Sequence, residues 1–154
     1  MNFIIKKFSK LTIIELYEIL QLRSEVFVVE QDCVYQDIDG KDEKALHVIG
    51  YKKGKIIAYA RIFDSGHYFE TPSIGRVVVS KSQRKFGYGH DLIKASIEAI
   101  YDYYQSKLIT ISAQTYLLKF YSSHGFETHG EEYMEDGLPH IRMIKKNEKK
   151  LPKI

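Results

Sequence analysis

Between Arg76 and Tyr104 the hydrophobic period of the chain changes once, across a loop that holds two glycines. Arg76-Val-Val-Val79 is the β-branched centre of a segment, Ser73 to Ser80, that reads as a strand. From Gly87 onward Ile93, Ile97, Ile100 and Tyr104 recur at helical spacing, with Lys94, Glu98 and Asp102 on another face. A strand that feeds a helix through a glycine loop restricts the chain to an α/β architecture. The same loop points to chemistry. Gly87 and Gly89 let the backbone come close to an anion, and a helix start offers unpaired N–H groups with partial positive charge. Arg84 and Lys85 add cations, so the loop suits a phosphate or pyrophosphate. No Gly-Lys-Ser/Thr follows, so it is not a P-loop. The position three after Gly89 is Leu92, which also excludes the G-x-G-x-x-G dinucleotide pattern.

The remaining elements fit the same class. Phe3 to Phe8 reads as a short strand, and Thr12-Ile-Ile-Glu15 is a capping box with Leu11 and Leu16 placed as a staple. The helix it opens carries Leu16, Ile19, Leu20 and Phe27 on one face and should break near Val28 to Gln31. His47 to Tyr51 and Ile56 to Phe63 form a predicted hairpin around Lys53-Gly54. Leu108 to Ala113 is strand-like, and Tyr116 to His124 is a short helix closed by Gly125 in a left-handed cap. Phe126 to Tyr133 and Pro139 to Ile144 flank Asp136-Gly137 as a final hairpin. This order predicts an α/β sandwich around a mixed, mainly antiparallel sheet flanked by helices.

At 154 residues the chain suits a single domain, one that buries roughly 70% of its unfolded surface. We place that domain at 1–144 and read 145–154 as a basic tail. The tail holds five lysines against one glutamate, so the body itself carries one net negative charge. A folded nucleic-acid surface is therefore not expected, since its Lys and Arg would be spread among aromatics. The longest apolar run, Ile56 to Ala60, is far below the roughly 20 residues of a membrane helix, and the N-terminus lacks signal-peptide character. One cysteine, Cys33, rules out an internal disulfide and a cysteine-based zinc site. We expect a soluble, cytoplasmic protein without membrane or nucleic-acid partners. Two acidic clusters, at 30–43 and 127–136, would attract a cationic amine if the fold joined them; their spacing does not suit calcium.

Arg84-x-x-Gly87-x-Gly89 after a valine-rich strand resembles the acetyl-coenzyme A loop of the GNAT N-acetyltransferases. Phe120-Tyr121-Ser-Ser-His-Gly125-Phe126 resembles the F-Y-x-x-x-G-F segment of that family. Leu22-Arg-Ser-Glu-Val-Phe-Val-Val-Glu30-Gln31, Asp37-x-Asp39-Gly40, Ala113-Gln114 and Glu135-Asp-Gly-x-Pro139-His140 are similar to its ElaA-like branch. The resemblance implies a GNAT-like sandwich and an acetyltransferase that uses acetyl-coenzyme A, no metal, and a small-molecule amine attacking directly in a ternary complex. It implies that Val77, Val78 and Val79 pair with the pantetheine arm and that the amides from Arg84 through Lys85, Phe86, Gly87 and Tyr88 to Gly89 hold the pyrophosphate. The Val78 N–H would stabilise the oxyanion, and Tyr121 would protonate the departing sulfur.

Gln114 stands where many members have Asn, and would fix a cofactor or backbone polar group. The glutamate that many members carry on the valine strand is absent, so proton removal passes to Glu30 or His140, with Asp37 and Asp39 orienting the substrate. Cys33 reads as an inert thiol. The C-terminal hairpin could pair between subunits as a homodimer. Three other readings stand beside the enzyme: a non-catalytic acyl-coenzyme A sensor or scaffold of the same fold, a nucleic-acid partner using the lysine tail, and an autoinducer-synthase-like acyltransferase suggested by Arg23 to Phe27.

Overall fold

The computed structural model describes residues 1–146. Strand β1 (Asn2–Lys7) leads to helix α1 (Ile13–Arg23), which continues as a π-helical segment, Ser24–Glu30. Strands β2 (Leu46–Lys52), β3 (Lys55–Phe63) and β4 (Ser73–Val79) follow, then α2 (Tyr88–Tyr104) and β5 (Leu108–Gln114). The chain continues with α3 (Leu118–Ser122), β6 (Glu127–Thr128), β7 (Tyr133–Glu135) and β8 (Leu138–Lys146). The strands form one sheet in the order β1-β2-β3-β4-β5-β8-β6, with β7 also paired to β8. All neighbours are antiparallel except β4 and β5.

The expected elements are present, with two differences. The strand expected over 126–133 is divided into β6 and β7, with Gly130 at φ 84° between them. Lys145 and Lys146, assigned by sequence to the tail, complete β8 opposite Ile109 and Leu108. The rest of that tail lies outside the described residues. No helix among the described residues is long and apolar enough to cross a membrane.

The central strands are apolar on both faces because both faces are covered. Ile19, Leu22 and Val26 pack on Ile49, Tyr59 and Val78. On the opposite face Leu92, Ile93, Ala99 and Ile100 of α2 pack on residues such as Val48, Ala60 and Ile111. Gly50 is required by close approach: a Cβ there would stand 2.8 Å from the Phe3 ring and 2.9 Å from the Ala58 Cβ. The capping box forms as read, with the Thr12 hydroxyl accepting from the Glu15 amide at 3.0 Å and Glu15 Oε1 accepting from the Thr12 amide at 2.9 Å.

The feature that positions the site is the parting of β4 from β5. Their register holds a single pair, Ser73 with Thr110, after which the two strands diverge. On its other side β4 is bulged against β3, where register shifts between Tyr59 and Arg61 and Arg76 sits at φ 48°. Bulges bend a strand and increase its twist, which turns the end of β4 away from β5.

Candidate active site

A cavity of about 510 Å³ occupies the gap between β4 and β5, within the usual range for small-ligand sites. One wall is the edge Val77–Val79, and its base is Gly87 and Gly89 at the start of α2. The other wall holds Gln114 and Tyr121, while Glu30 and His140 line it from separate elements. The fold thus brings together ten residues that sequence placed in the site, from seven different segments. Lys85, Phe86, Tyr88, Asp37 and Asp39 do not line it.

The direction of the β4 amides follows from one bond. The Ser80 amide donates to the Ile57 carbonyl at 2.8 Å, and Ala58 faces Val79 while Tyr59 faces Val78. In an antiparallel ladder, bonded and non-bonded pairs alternate. The Val78 amide is therefore spent on β3, and the backbone of Val79 faces the gap. This corrects the expected oxyanion donor: Val78 cannot offer its N–H without breaking the sheet. Consistently, Arg84 Nε reaches across from the loop to donate to the Val79 carbonyl at 3.1 Å.

The anion loop is a 3₁₀ turn, Lys81–Phe86, followed by Gly87 at φ 74°. That left-handed conformation strains any residue with a Cβ, which accounts for glycine at this corner. Gly87 has no side chain to cap α2, so the first amides of a 17-residue helix face the base of the cavity uncapped. Phe86 and Tyr88 anchor the loop instead of facing the ligand, for the Lys52 ammonium sits 4.1 Å and 5.1 Å from their ring centres. Gly89 has a different reason: a Cβ there would meet the Phe120 ring at an ordinary 3.6 Å, so the protein itself does not exclude a side chain.

Tyr121 is buried between Phe120 and Phe126, both edge-on, and burial pushes its phenol up, so that it keeps its proton at any physiological pH. Gln114 shares a mutual 3.4 Å amide contact with Gln31 across the cavity.

Glu30 is bound by Arg84 in a two-pronged pair of 2.6 and 2.9 Å, and this guanidinium holds its carboxyl below the usual range. A carboxylate so engaged is a weak proton acceptor. The geometry therefore removes Glu30 from the two bases considered and leaves His140.

Asp37 and Asp39 are likewise committed. Arg23 donates to Asp37 Oδ2 and Asp42 Oδ1, each at 2.8 Å, from a fully buried position on α1. Arg61 donates to both oxygens of Asp39 at 2.8 Å and to Asp42 at 2.9 Å. Arg76 Nε lies 2.8 Å from Asp37 Oδ1 out of line for a hydrogen bond, an ionic contact. Three arginines balance three aspartates, so most of the acidic charge of 30–43 is consumed internally. Burial alone would raise the Asp39 carboxyl, but the Arg61 bonds and charge hold it at about 2. These aspartates build the frame that carries Tyr35 and Cys33 to the cavity wall; they do not present carboxylates to a substrate.

Besides Glu30, which is paired with Arg84, the acidic residues lining the cavity among the described residues are Glu135 and Asp136. Glu135 accepts from the Ser112 hydroxyl at 3.0 Å and from the Tyr68 hydroxyl at 3.4 Å, and its Oε2 stands 3.4 Å from His140 Nε2. Glu135 belongs to the acidic cluster at 127–136 and to the Glu135-Asp-Gly-x-Pro139-His140 motif, but sequence does not single it out within either. Its role was visible in the hairpin register, which pairs Tyr133 with His140 and Glu135 with Leu138 around Asp136-Gly137.

The acetyltransferase (GNAT) domain profile matches residues 11–147, nearly the whole chain. The chain belongs to the GNAT acetyltransferase family. Among GNAT relatives, Escherichia coli protein ElaA is 43% identical over 139 residues, which cover 89% of this chain and 91% of that protein. The crystal structure of Escherichia coli ElaA superposes with a TM-score of 0.88 at 40% identity, covering 95% of this chain and all of that one. A Pseudomonas aeruginosa acyl-CoA N-acyltransferase does so with a TM-score of 0.88 at 38% identity, covering 94% and 99%. The residues of the GNAT cavity fit an acyl-coenzyme A donor. A strand edge with no neighbouring strand beyond Ser73 suits an extended amide-bearing arm, and an uncapped helix start suits a diphosphate.

Proposed function

We propose that this protein transfers an acetyl group from acetyl-coenzyme A to a primary amine by direct attack within a ternary complex. The observation that carries the reading is the gap between β4 and β5, which leaves an unpaired strand edge leading straight to the amides of an uncapped helix. Val79, with Val77 on the same side of the strand, pairs with the extended arm of the donor as an added strand would. Gly87 and Gly89 bring the first amides of α2 and the positive end of its dipole to the diphosphate, while Arg84 stays bound to Glu30 and to the Val79 carbonyl and braces the loop. An amide on the gap side of β4 takes over oxyanion stabilisation from Val78, a contact worth about 3 kcal/mol in comparable sites. Tyr121, held protonated by burial, gives its proton to the sulfur as the carbon–sulfur bond breaks. No acyl-enzyme is required. Cys33 donates to the Asp136 carbonyl at 3.1 Å and keeps its role as an inert thiol.

Two measurements in sequence test this. Titration calorimetry with acetyl-coenzyme A should show one site per chain, displaced by coenzyme A. Thiol release should then rise on addition of amines. Absence of binding overturns the reading. Binding without turnover on any amine leaves the non-catalytic sensor as the better account.

A further inference from the structure

Resting on the acetyltransferase reading, we propose that Glu135 and His140 form the ammonium-binding, proton-accepting end of the cavity. The proposal includes the acceptor, a monocationic primary amine with an apolar body. His140 Nδ1 lies 2.8 Å from the Leu138 carbonyl oxygen, which can only accept, so Nδ1 carries the proton of the neutral ring. The lone pair of Nε2 then faces Glu135 Oε2 across 3.4 Å. Two acceptors set against each other repel unless a proton lies between them. A substrate ammonium seated beside the pair can turn one N–H to each and satisfy both.

The surroundings select what else the acceptor can be. The aromatic rings of Tyr68, Phe63 and Phe69 form one cluster: Tyr68 stacks on Phe63 with centres 6.0 Å apart and meets Phe69 edge-on at 4.9 Å. All three line the cavity, and the Tyr68 hydroxyl touches Glu135. Beside the pair stand Tyr133 from β7, whose hydroxyl is hydrogen-bonded to Ser112, Asp136 in the turn, and Cys33 from the opposite loop. Arg61 and Arg76, which also reach the cavity, are neutralised by Asp37, Asp39 and Asp42. The acidic side chains left to meet a cation are those of the β7–β8 turn. One ammonium fits them; a second positive charge would lie against the arginine-bearing side or the aromatic wall.

The ammonium N–H bond breaks, its proton passes to His140 Nε2, and Glu135 stabilises the imidazolium. The freed lone pair forms the carbon–nitrogen bond to the thioester carbonyl carbon, the carbon–sulfur bond breaks, and sulfur takes the Tyr121 proton. The nitrogen gives a second proton to the Tyr121 oxygen, and the imidazolium later loses its proton to water.

The test compares wild type with Glu135→Gln and His140→Gln on 2-phenylethylamine, spermidine and glucosamine. Acetyl-coenzyme A affinity by calorimetry and Tm are measured in parallel. Phenylethylamine should be the best of the three acceptors. Each variant should keep donor affinity and lose about 10²-fold in kcat at pH 7. In His140→Gln the rate should climb about tenfold per pH unit towards pH 9, because only amine already neutral in solution then reacts. Glu135 is one-third exposed at its side chain, so its isosteric variant reports even if His140→Gln fails to fold. Wild-type turnover with both variants equally active and unchanged in pH profile overturns this proposal alone. Preference for spermidine or glucosamine overturns the apolar acceptor. A wild type that binds the donor but transfers to no amine overturns the acetyltransferase reading and this inference with it.

Discussion

Tyr121 and Asp37 show how differently two buried polar residues of one molecule act. Tyr121 is enclosed by rings and lines the cavity, where its hydroxyl can meet a ligand. Tyr121→Phe should lower kcat by about 10²-fold while donor affinity measured by calorimetry stays nearly constant. Asp37 is enclosed by Arg23, Arg76 and the Tyr35 hydroxyl, which donates to it at 2.7 Å. Asp37→Asn leaves buried guanidinium charge uncompensated and should cost about 3 kcal/mol of stability in a urea titration. The loop carrying Tyr35 should loosen at the same time. A carboxylate that binds substrate would instead raise KM with little change in stability, so the two roles separate cleanly.

At the scale of elements, the junction of β4 and α2 combines two glycines of unlike origin. Gly87 is dictated by the backbone, at φ 74°, whereas Gly89 occupies a helical position with room for a methyl group. Gly89→Ala should therefore keep the fold and stabilise α2 by up to about 1 kcal/mol, since alanine loses less entropy in a helix. The same methyl enters the base of the cavity and should weaken acetyl-coenzyme A binding about tenfold or more, a loss of about 1.4 kcal/mol. Higher Tm with weaker binding is the outcome expected; unchanged binding would mean that the donor does not approach the start of α2. The opening of α1 behaves conventionally, and Thr12→Ala should cost about 1 kcal/mol through the lost cap.

For the whole molecule, acid sensitivity should come in two stages. His47 is 1% exposed, its Nε2 lies 2.9 Å from the Asp42 carbonyl and its Nδ1 2.7 Å from the Tyr59 hydroxyl. The carbonyl requires Nε2–H, so Nδ1 accepts from Tyr59 and the ring is neutral. Burial lowers its pKa below the usual 6.5. The unfolded chain thus binds this proton first, and stability falls as pH drops below about 6.5. The second stage belongs to carboxylates. Burial would raise Glu15, but the Lys6 ammonium, the Thr12 amide and the Tyr51 hydroxyl hold it at about 2, as Arg61 does for Asp39. Their contribution is complete above the unfolded carboxylate range and is lost as pH falls from about 4 towards 2. Urea midpoints at pH 8, 5.5 and 3 should decline in that order. His47→Gln, if it folds, should reduce the decline over the first interval, which His124, also held below the usual range by partial burial, shares, and leave the second unchanged.

Sequence by itself determined the elements whose causes are local. The capping box at Thr12, the change of period at Gly87, the turn at Asp136-Gly137 and the valine strand each depend on a few neighbouring residues, and all are where the pattern puts them. The family and the place of the glycine loop between β4 and α2 were legible for the same reason. The fate of charge was not legible. Glu30, Asp37 and Asp39 look free in a string of letters, and only packing brings Arg84, Arg23, Arg61 and Arg76 from distant segments to bind them. The direction of the Val78 amide depends on its register with Tyr59, and the reach of Glu135 to Ser112 and Tyr68 depends on how the last hairpin folds against β5. Ion pairs, ladder register and cavity walls are set by contacts between residues far apart in the chain, and those contacts exist only once the sheet has closed around its two cores.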